Sequence, residues 1–270
     1  MMDALKNWIA DAPLLLVGIL ASLAASLGTS VGALPVFAIR RVSALAQDLL
    51  MSIAAGVMLA ASAYSLVEPG LAEATRQTGG PLAGAALIGA SLMIGAAAIL
   101  FIHRHAPHEH FIKPSDNPAV DATRLRQVWL FVIAITLHNF PEGLSVGVGF
   151  GGGQMDNGLA LTTAIFIQNL PEGFVVALAL VSQGYTRRRA FAIACATGFV
   201  ETFGGLVGAL AISLASTVLP WALGFAGGAM LFVISHEIIP ETHRNGHEAD
   251  ATFGLIAGFV GMLLLEAALG

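Results

Sequence analysis

Charge is what this 270-residue sequence has least of: Asp, Glu, Lys and Arg together make up 11% of it, against roughly a quarter in a water-soluble domain. A chain so poor in charge cannot cover a surface facing water. With 56% hydrophobic residues and a mean hydropathy of +0.81, its main solvent is lipid. Cysteine is nearly absent, and the lone Cys195 excludes a disulfide framework or a thiolate metal cluster, since each needs several sulfurs. No HExxH pattern occurs, so the usual sign of a zinc protease is missing. No basic patch is present either, and nucleic acid is not an expected partner. The first twelve residues carry Asp3, Lys6 and Asp11 ahead of a full-length apolar run, unlike a cleaved signal peptide. Outer-membrane strands read as ~10-residue alternating segments. The apolar stretches here are long runs of Ala, Gly, Leu and Val, which makes helices the expected spanning element.

A bilayer core of ~30 Å needs about 20 apolar residues per helix. Eight segments qualify: about Pro13 to Phe37, Asp48 to Val67, Leu82 to His103, Val128 to Phe150, Leu159 to Ser182, Ala190 to Ser213, Leu219 to Pro240, and Phe253 to Leu269. The expected fold is all-α, a polytopic membrane protein with eight transmembrane helices in a single domain over residues 1–270. Short cytoplasmic loops hold the excess of Lys and Arg. An external N-terminus places ten of the twelve basic residues inside and leaves only Lys6 and Arg76 outside. An even number of spans then puts both termini outside. The one long connection, 104–127, falls inside and, with the end of the preceding span, gathers His103, His105, His108 and His110. Such a tract reads either as a loose metal-binding segment or as a solvated linker that contains histidine.

Charge in the middle of a bilayer costs roughly 2.5–3.5 kcal/mol per residue on insertion scales, so an ionisable residue there points to function. Glu142, Glu172 and Glu201 meet that condition in the fourth, fifth and sixth spans. The first two belong to a repeated hexapeptide, His138-Asn139-Phe140-Pro141-Glu142-Gly143 and Gln168-Asn169-Leu170-Pro171-Glu172-Gly173. Consecutive spans run antiparallel, so the two copies meet at one depth with opposite polarity, as expected around a midplane substrate site. Positions four apart share a helix face, which pairs His138 with Glu142 and Gln168 with Glu172. Each proline frees the carbonyl four residues back, on Leu137 and Ile167, and Gly143 and Gly173 permit close helix approach. Together these residues offer imidazole, carboxylate and amide donors. That set suits zinc, cadmium, iron(II) or manganese and disfavours copper(I). Taken singly, His138 reads more readily as a buried hydrogen-bonding histidine, Asn139 and Asn169 read also as interhelical contacts, and Glu201 reads as a ligand before it reads as one half of a polar pair.

This twin motif resembles that of the ZIP family of metal transporters, whose fourth span carries an HNxPEG-type sequence and whose fifth carries a related Pro-Glu motif. The likeness extends over all eight spans and the histidine-containing loop, and is close to the bacterial members. It implies uptake of a divalent metal toward the cytoplasm, zinc foremost, across the bacterial inner membrane. His138, Asn139, Glu142, Gln168, Asn169, Glu172 and Glu201 match the family positions for a one- or two-metal site. The resemblance also implies two inverted three-helix repeats, spans one to three and six to eight, around the central pair, in a homodimer with elevator-like motion. His236 and Glu237 match polar positions on the family's exit route, although a helix-end pair touching water explains them as well. This sequence departs from many relatives at Gln168, commonly His, and at Asn169, where some carry an acid. Glu73 and Glu266, near the external ends of spans two and eight, are candidate entrance acids. Two other function classes remain at this point: an intramembrane metalloenzyme that activates water, and a proton-coupled transporter of another solute.

Overall fold

In a membrane each backbone N–H and C=O must find a partner within the chain, which leaves the helix as the solution for such a sequence. The computed structural model describes residues 12–39, 42–105, 122–150, 155–214 and 216–269. Among them every regular element is helical. Helix α1 (Leu14–Ala33) ends in a 3-10 turn (Leu34–Phe37), and α2 (Ala44–Ala61) passes through a π-helical turn (Ser62–Val67) into α3 (Glu68–Thr78). Then come α4 (Pro81–His105), α5 (Ala122–Gly149), α6 (Met155–Ser182) and α7 (Arg187–Leu214). A 3-10 turn (Ser216–Val218) leads to α8 (Leu219–Val233), which runs through a second π-helical turn (Ile234–Ile238) into the short α9 (Ile239–Thr242); α10 (Glu248–Leu269) follows.

Among the described residues, seven helical units are long and apolar enough to cross a bilayer: Leu14–Phe37, Ala44–Thr78, Pro81–Ile102, Met155–Ser182, Arg187–Leu214, Leu219–Thr242 and Glu248–Ala268. Each coincides with one of the expected spans, and the protein is a polytopic integral membrane protein. The remaining expected span, Val128 to Phe150, falls on α5. That helix has 28 residues and is therefore about 42 Å long at 1.5 Å per residue. Several of its side chains, His138 among them, lie outside the described set, as do those of His103 and His105 at the end of α4.

Helices outrun the apolar segments that announce them. The second span is expected to stop near Val67 with Glu73 in a loop, but α3 continues the helix to Thr78. There Gly79 closes it with a left-handed φ of 73°, a conformation glycine adopts without steric cost. Glu68, Glu73, Arg76 and Gln77 remove apolarity without opposing the helix, while Gly70 and Ala74 pack inward. Apolar length marks the membrane core, and the amphipathic continuation lies beyond it. The connection 104–127 is shortened in the same way, by α4 at one end and α5 at the other.

Lipid gives helices no hydrophobic reason to associate, so close packing through small residues takes over. The chain has 31 glycines for the purpose. A Cβ added to Gly143 would run into the Glu201 carbonyl, joining α5 to α7, and one added to Gly173 would run into the Thr29 carbonyl, joining α6 to α1. The helices form two groups. In one, α1 lies against α6 and α7, and α5 against α7; in the other, α2 packs on α10 and α4 on α8. The groups meet where α2 touches α6 and α5 touches α8. Buried Asp48 fastens the start of α2 to the residues before α10, accepting from Asn245 Nδ2 at 3.0 Å and facing His247 Nδ1 at 2.8 Å. Both π-helical turns precede a proline by two residues, Pro69 and Pro240. A proline ring crowds the carbonyl four residues back, and widening the turn relieves that contact.

Candidate metal centre

Three glutamates, one each from α5, α6 and α7, are completely buried: Glu142, Glu172 and Glu201. Glu142 and Glu172 both lie within electrostatic reach of Glu201. Helices α5 and α6 run unbroken through Pro141 and Pro171, so the repeated motif keeps its helical spacing. That spacing sets Gln168 one turn before Glu172, and Asn139 three residues before Glu142.

Amides stand between the carboxylates. Gln168 Nε2 donates to Glu142 Oε1 at 2.5 Å, and Asn169 Nδ2 donates both to Glu201 Oε2 at 2.8 Å and to the Ala25 carbonyl at 3.1 Å. Asn139 Nδ2 donates to the Thr197 carbonyl at 2.8 Å. With the NH2 groups so engaged, the carbonyl ends of all three amides are left over. Among the described residues Asn139 Oδ1, Gln168 Oε1, Asn169 Oδ1 and Glu201 Oε1 are buried with no hydrogen-bond partner. Leaving a buried acceptor unsatisfied costs about 1–3 kcal/mol per group, and a cation relieves several such oxygens at once. Among the described residues no three of His, Cys, Asp and Glu are drawn together as a ready ligand cage. Amide NH2 groups occupy positions next to the carboxylates instead. Turning an amide about its terminal bond exchanges a donor for an acceptor, so these residues can offer either hydrogen bonds to carboxylates or oxygens to a metal.

His138 falls on α5 at the expected position, with its side chain outside the described residues. The same holds for His103 and His105 on α4, while His108 and His110 lie outside altogether. His236 and Glu237 occupy the second π-helical turn, where the exposed His236 ring stacks 4.8 Å from Phe232. Glu73 is on helix α3, and its carboxylate is already gripped by Arg76 through Nε at 2.9 Å and Nη2 at 2.5 Å, and by Gln77 at 2.7 Å. Glu266 accepts from Ser65 Oγ at 3.2 Å and feels the charge of Glu68. Sequence reasoning passed over Glu68, although an acid directly after a span was a visible signal. It had no means of finding the Ala25 and Thr197 carbonyls, because every residue carries one.

Residues 102–266 match the sequence profile of the family described as "ZIP Zinc transporter". The chain is 46% identical over 254 residues to "Zinc transporter GufA" of Myxococcus xanthus, covering 94% of this chain and 99% of that protein. It is also 46% identical over 242 residues to "Zinc transporter ZIPB" of Bordetella bronchiseptica, covering 90% of this chain and 78% of the other. With "Zinc transporter ZupT" of Stenotrophomonas maltophilia it shares 29% identity over 257 residues, 90% and 91% of the two chains. Buried carboxylates and amides on three packed membrane helices, and likeness along nearly the whole length, agree: the chain belongs to the ZIP zinc transporter family, a family of transporters and not of enzymes.

Proposed function

We propose that this protein carries divalent transition-metal ions, zinc foremost, toward the cytoplasm across a bacterial inner membrane. The path runs through a midplane site made by His138, Asn139, Glu142, Gln168, Asn169, Glu172 and Glu201. One observation carries the reading: the amide oxygens of Asn139, Gln168 and Asn169 and Oε1 of Glu201, without hydrogen-bond partners among the described residues, lie in a buried cluster that holds three glutamates from three helices. The amide NH2 groups of Gln168 and Asn169 supply partial positive charge to the Glu142 and Glu201 carboxylates. An arriving ion displaces Gln168 from Glu142 and Asn169 from Glu201, and the amides turn their oxygens inward. The imidazole of His138 adds the nitrogen donor that favours a borderline ion such as zinc, while Cd2+, Fe2+ and Mn2+ remain acceptable to the oxygens. The names of the relatives support zinc.

The wider organisation follows the same reading: a single transporter domain of eight spans over residues 1–270, both termini external, functioning as a homodimer. The matching π-helical turn and proline in spans two and seven support inverted repeats made of spans one to three and six to eight. The separation of the helices into two groups supports motion of α1, α5, α6 and α7 against the rest. Glu266, with Glu73, lies at the entrance, and His236 and Glu237 line the exit. The tract of His103, His105, His108 and His110 binds metal loosely on the cytoplasmic side and tunes uptake.

Purified Glu142→Ala and Glu172→Ala variants in liposomes test the site. Zinc uptake falls to background in each, and Glu142→Gln fails as well, because the amide keeps the shape and loses the charge. Wild-type uptake by either alanine variant would sink the proposal. Uptake of an organic solute that ignores zinc would favour the proton-coupled alternative.

A further inference from the structure

A crevice of about 500 Å³ opens between α1, α2 and α6. It extends from Gln168 toward Pro35 at the end of α1 and so reaches the midplane cluster from one side. Of its twelve lining residues only Gln168 has a polar side chain. A divalent cation that sheds water needs several polar ligands along its way, so this crevice is not an ion path. Wall residues remain open to the outside of the protein, Val31 at 46% and Ile53 at 39% exposure, at a depth where the surroundings are hydrocarbon. The wall from Leu50 to Val57 rises about 10 Å at 1.5 Å per residue, a large part of the ~15 Å of one leaflet's hydrocarbon. An acyl chain fits those dimensions and that lining.

Cationic groups adjoin the end of the crevice at Pro35. Two residues on, the Phe37 carbonyl accepts from Arg187 Nη1 at 2.5 Å, and the Phe37 ring lies 5.4 Å from that of Phe191. Arg187 is followed by Arg188 and Arg189, both exposed, at the start of α7. Among the described residues none of the three arginines forms an ion pair with a carboxylate. A guanidinium with one N–H engaged keeps others in a planar fork that matches phosphate oxygens.

We propose that the crevice and these arginines form a binding site for one anionic phospholipid, with an acyl chain between α1, α2 and α6 and its phosphate on Arg187, flanked by Arg188 and Arg189. The lipid wedges the seam where α2 meets α6, next to Gln168, and thereby ties the metal cluster to the charge of the surrounding membrane. Binding is read without metal, so it stands or falls separately from transport.

Native mass spectrometry of the purified protein, given equal amounts of phosphatidylglycerol and phosphatidylcholine with identical chains, provides the test. Phosphatidylglycerol is retained about fivefold over phosphatidylcholine, the preference expected from one arginine near a membrane surface. Arg187→Gln brings that ratio toward one. Ile53→Trp fills the crevice and lowers the adducts of both lipids, with circular dichroism confirming the helical fold. Excess glycerol phosphate leaves the adducts in place. Equal retention of the two lipids by wild type, an unchanged ratio in Arg187→Gln, full binding by Ile53→Trp, or displacement by glycerol phosphate would each overturn the site.

Discussion

His138 is the single imidazole in a donor set otherwise made of carboxylate and amide oxygen, and selectivity between zinc and manganese rests on it, because manganese accepts all-oxygen sites more readily than zinc does. His138→Ala is therefore expected to lower the zinc-to-manganese ratio of bound metal and of uptake. Gln168→His is expected to raise the ratio for bound metal while slowing turnover, since a tightly held ion leaves late. Competition assays on the three proteins measure both ratios, and equal values in all three would make His138 structural. At this scale the sequence was readable wherever a polar side chain interrupted an apolar run, which covers the glutamates and amides of α5, α6 and α7. The clamp on Glu73 was not, since Arg76 and Gln77 share its face only on a helix, and that stretch reads as a loop. The Ala25 and Thr197 carbonyls were not, since a backbone acceptor leaves no trace in composition.

Helix pairs are held by backbone contact at glycines, and not all of those glycines are equal. Gly143 meets the Glu201 carbonyl, whereas Gly261 of α10 has nothing within 4 Å of an added Cβ. Gly143→Ala is expected to cost about 1–3 kcal/mol, as overpacking does, and Gly261→Ala to gain roughly 0.5–1 kcal/mol through helix propensity. Thermal unfolding in detergent should show opposite shifts of Tm, and shifts of one sign would contradict the packing described. The motif glycines were legible as small residues that permit close approach. What hydropathy could not supply was where each helix ends, because α3 is held by an amphipathic pattern after the apolar run has stopped.

Across the whole molecule, the spans were legible and their neighbours were not. Nothing in the order of segments says that α2 lies on α10 or that α4 lies on α8, and the tie between Asp48 and His247 joins residues 199 apart. The two π-helical turns give this architecture an unusual tolerance. A π turn absorbs one surplus residue and leaves the following helix in phase with the preceding one. Deleting Ala63 should therefore close the turn and let α3 keep its contacts with α4 and α8, with a Tm lowered only by the Pro69 ring again crowding the carbonyl four residues back. The loss is confined to the outer end, where Ser65 meets Glu266. Deleting Ala96, within regular α4, turns the rest of that helix by about 100° and takes its inward face off α8, so the protein should not survive purification. These two turns are then the places where the chain can change its length by one residue without changing its shape, as slack taken up in a belt leaves the pulleys where they were.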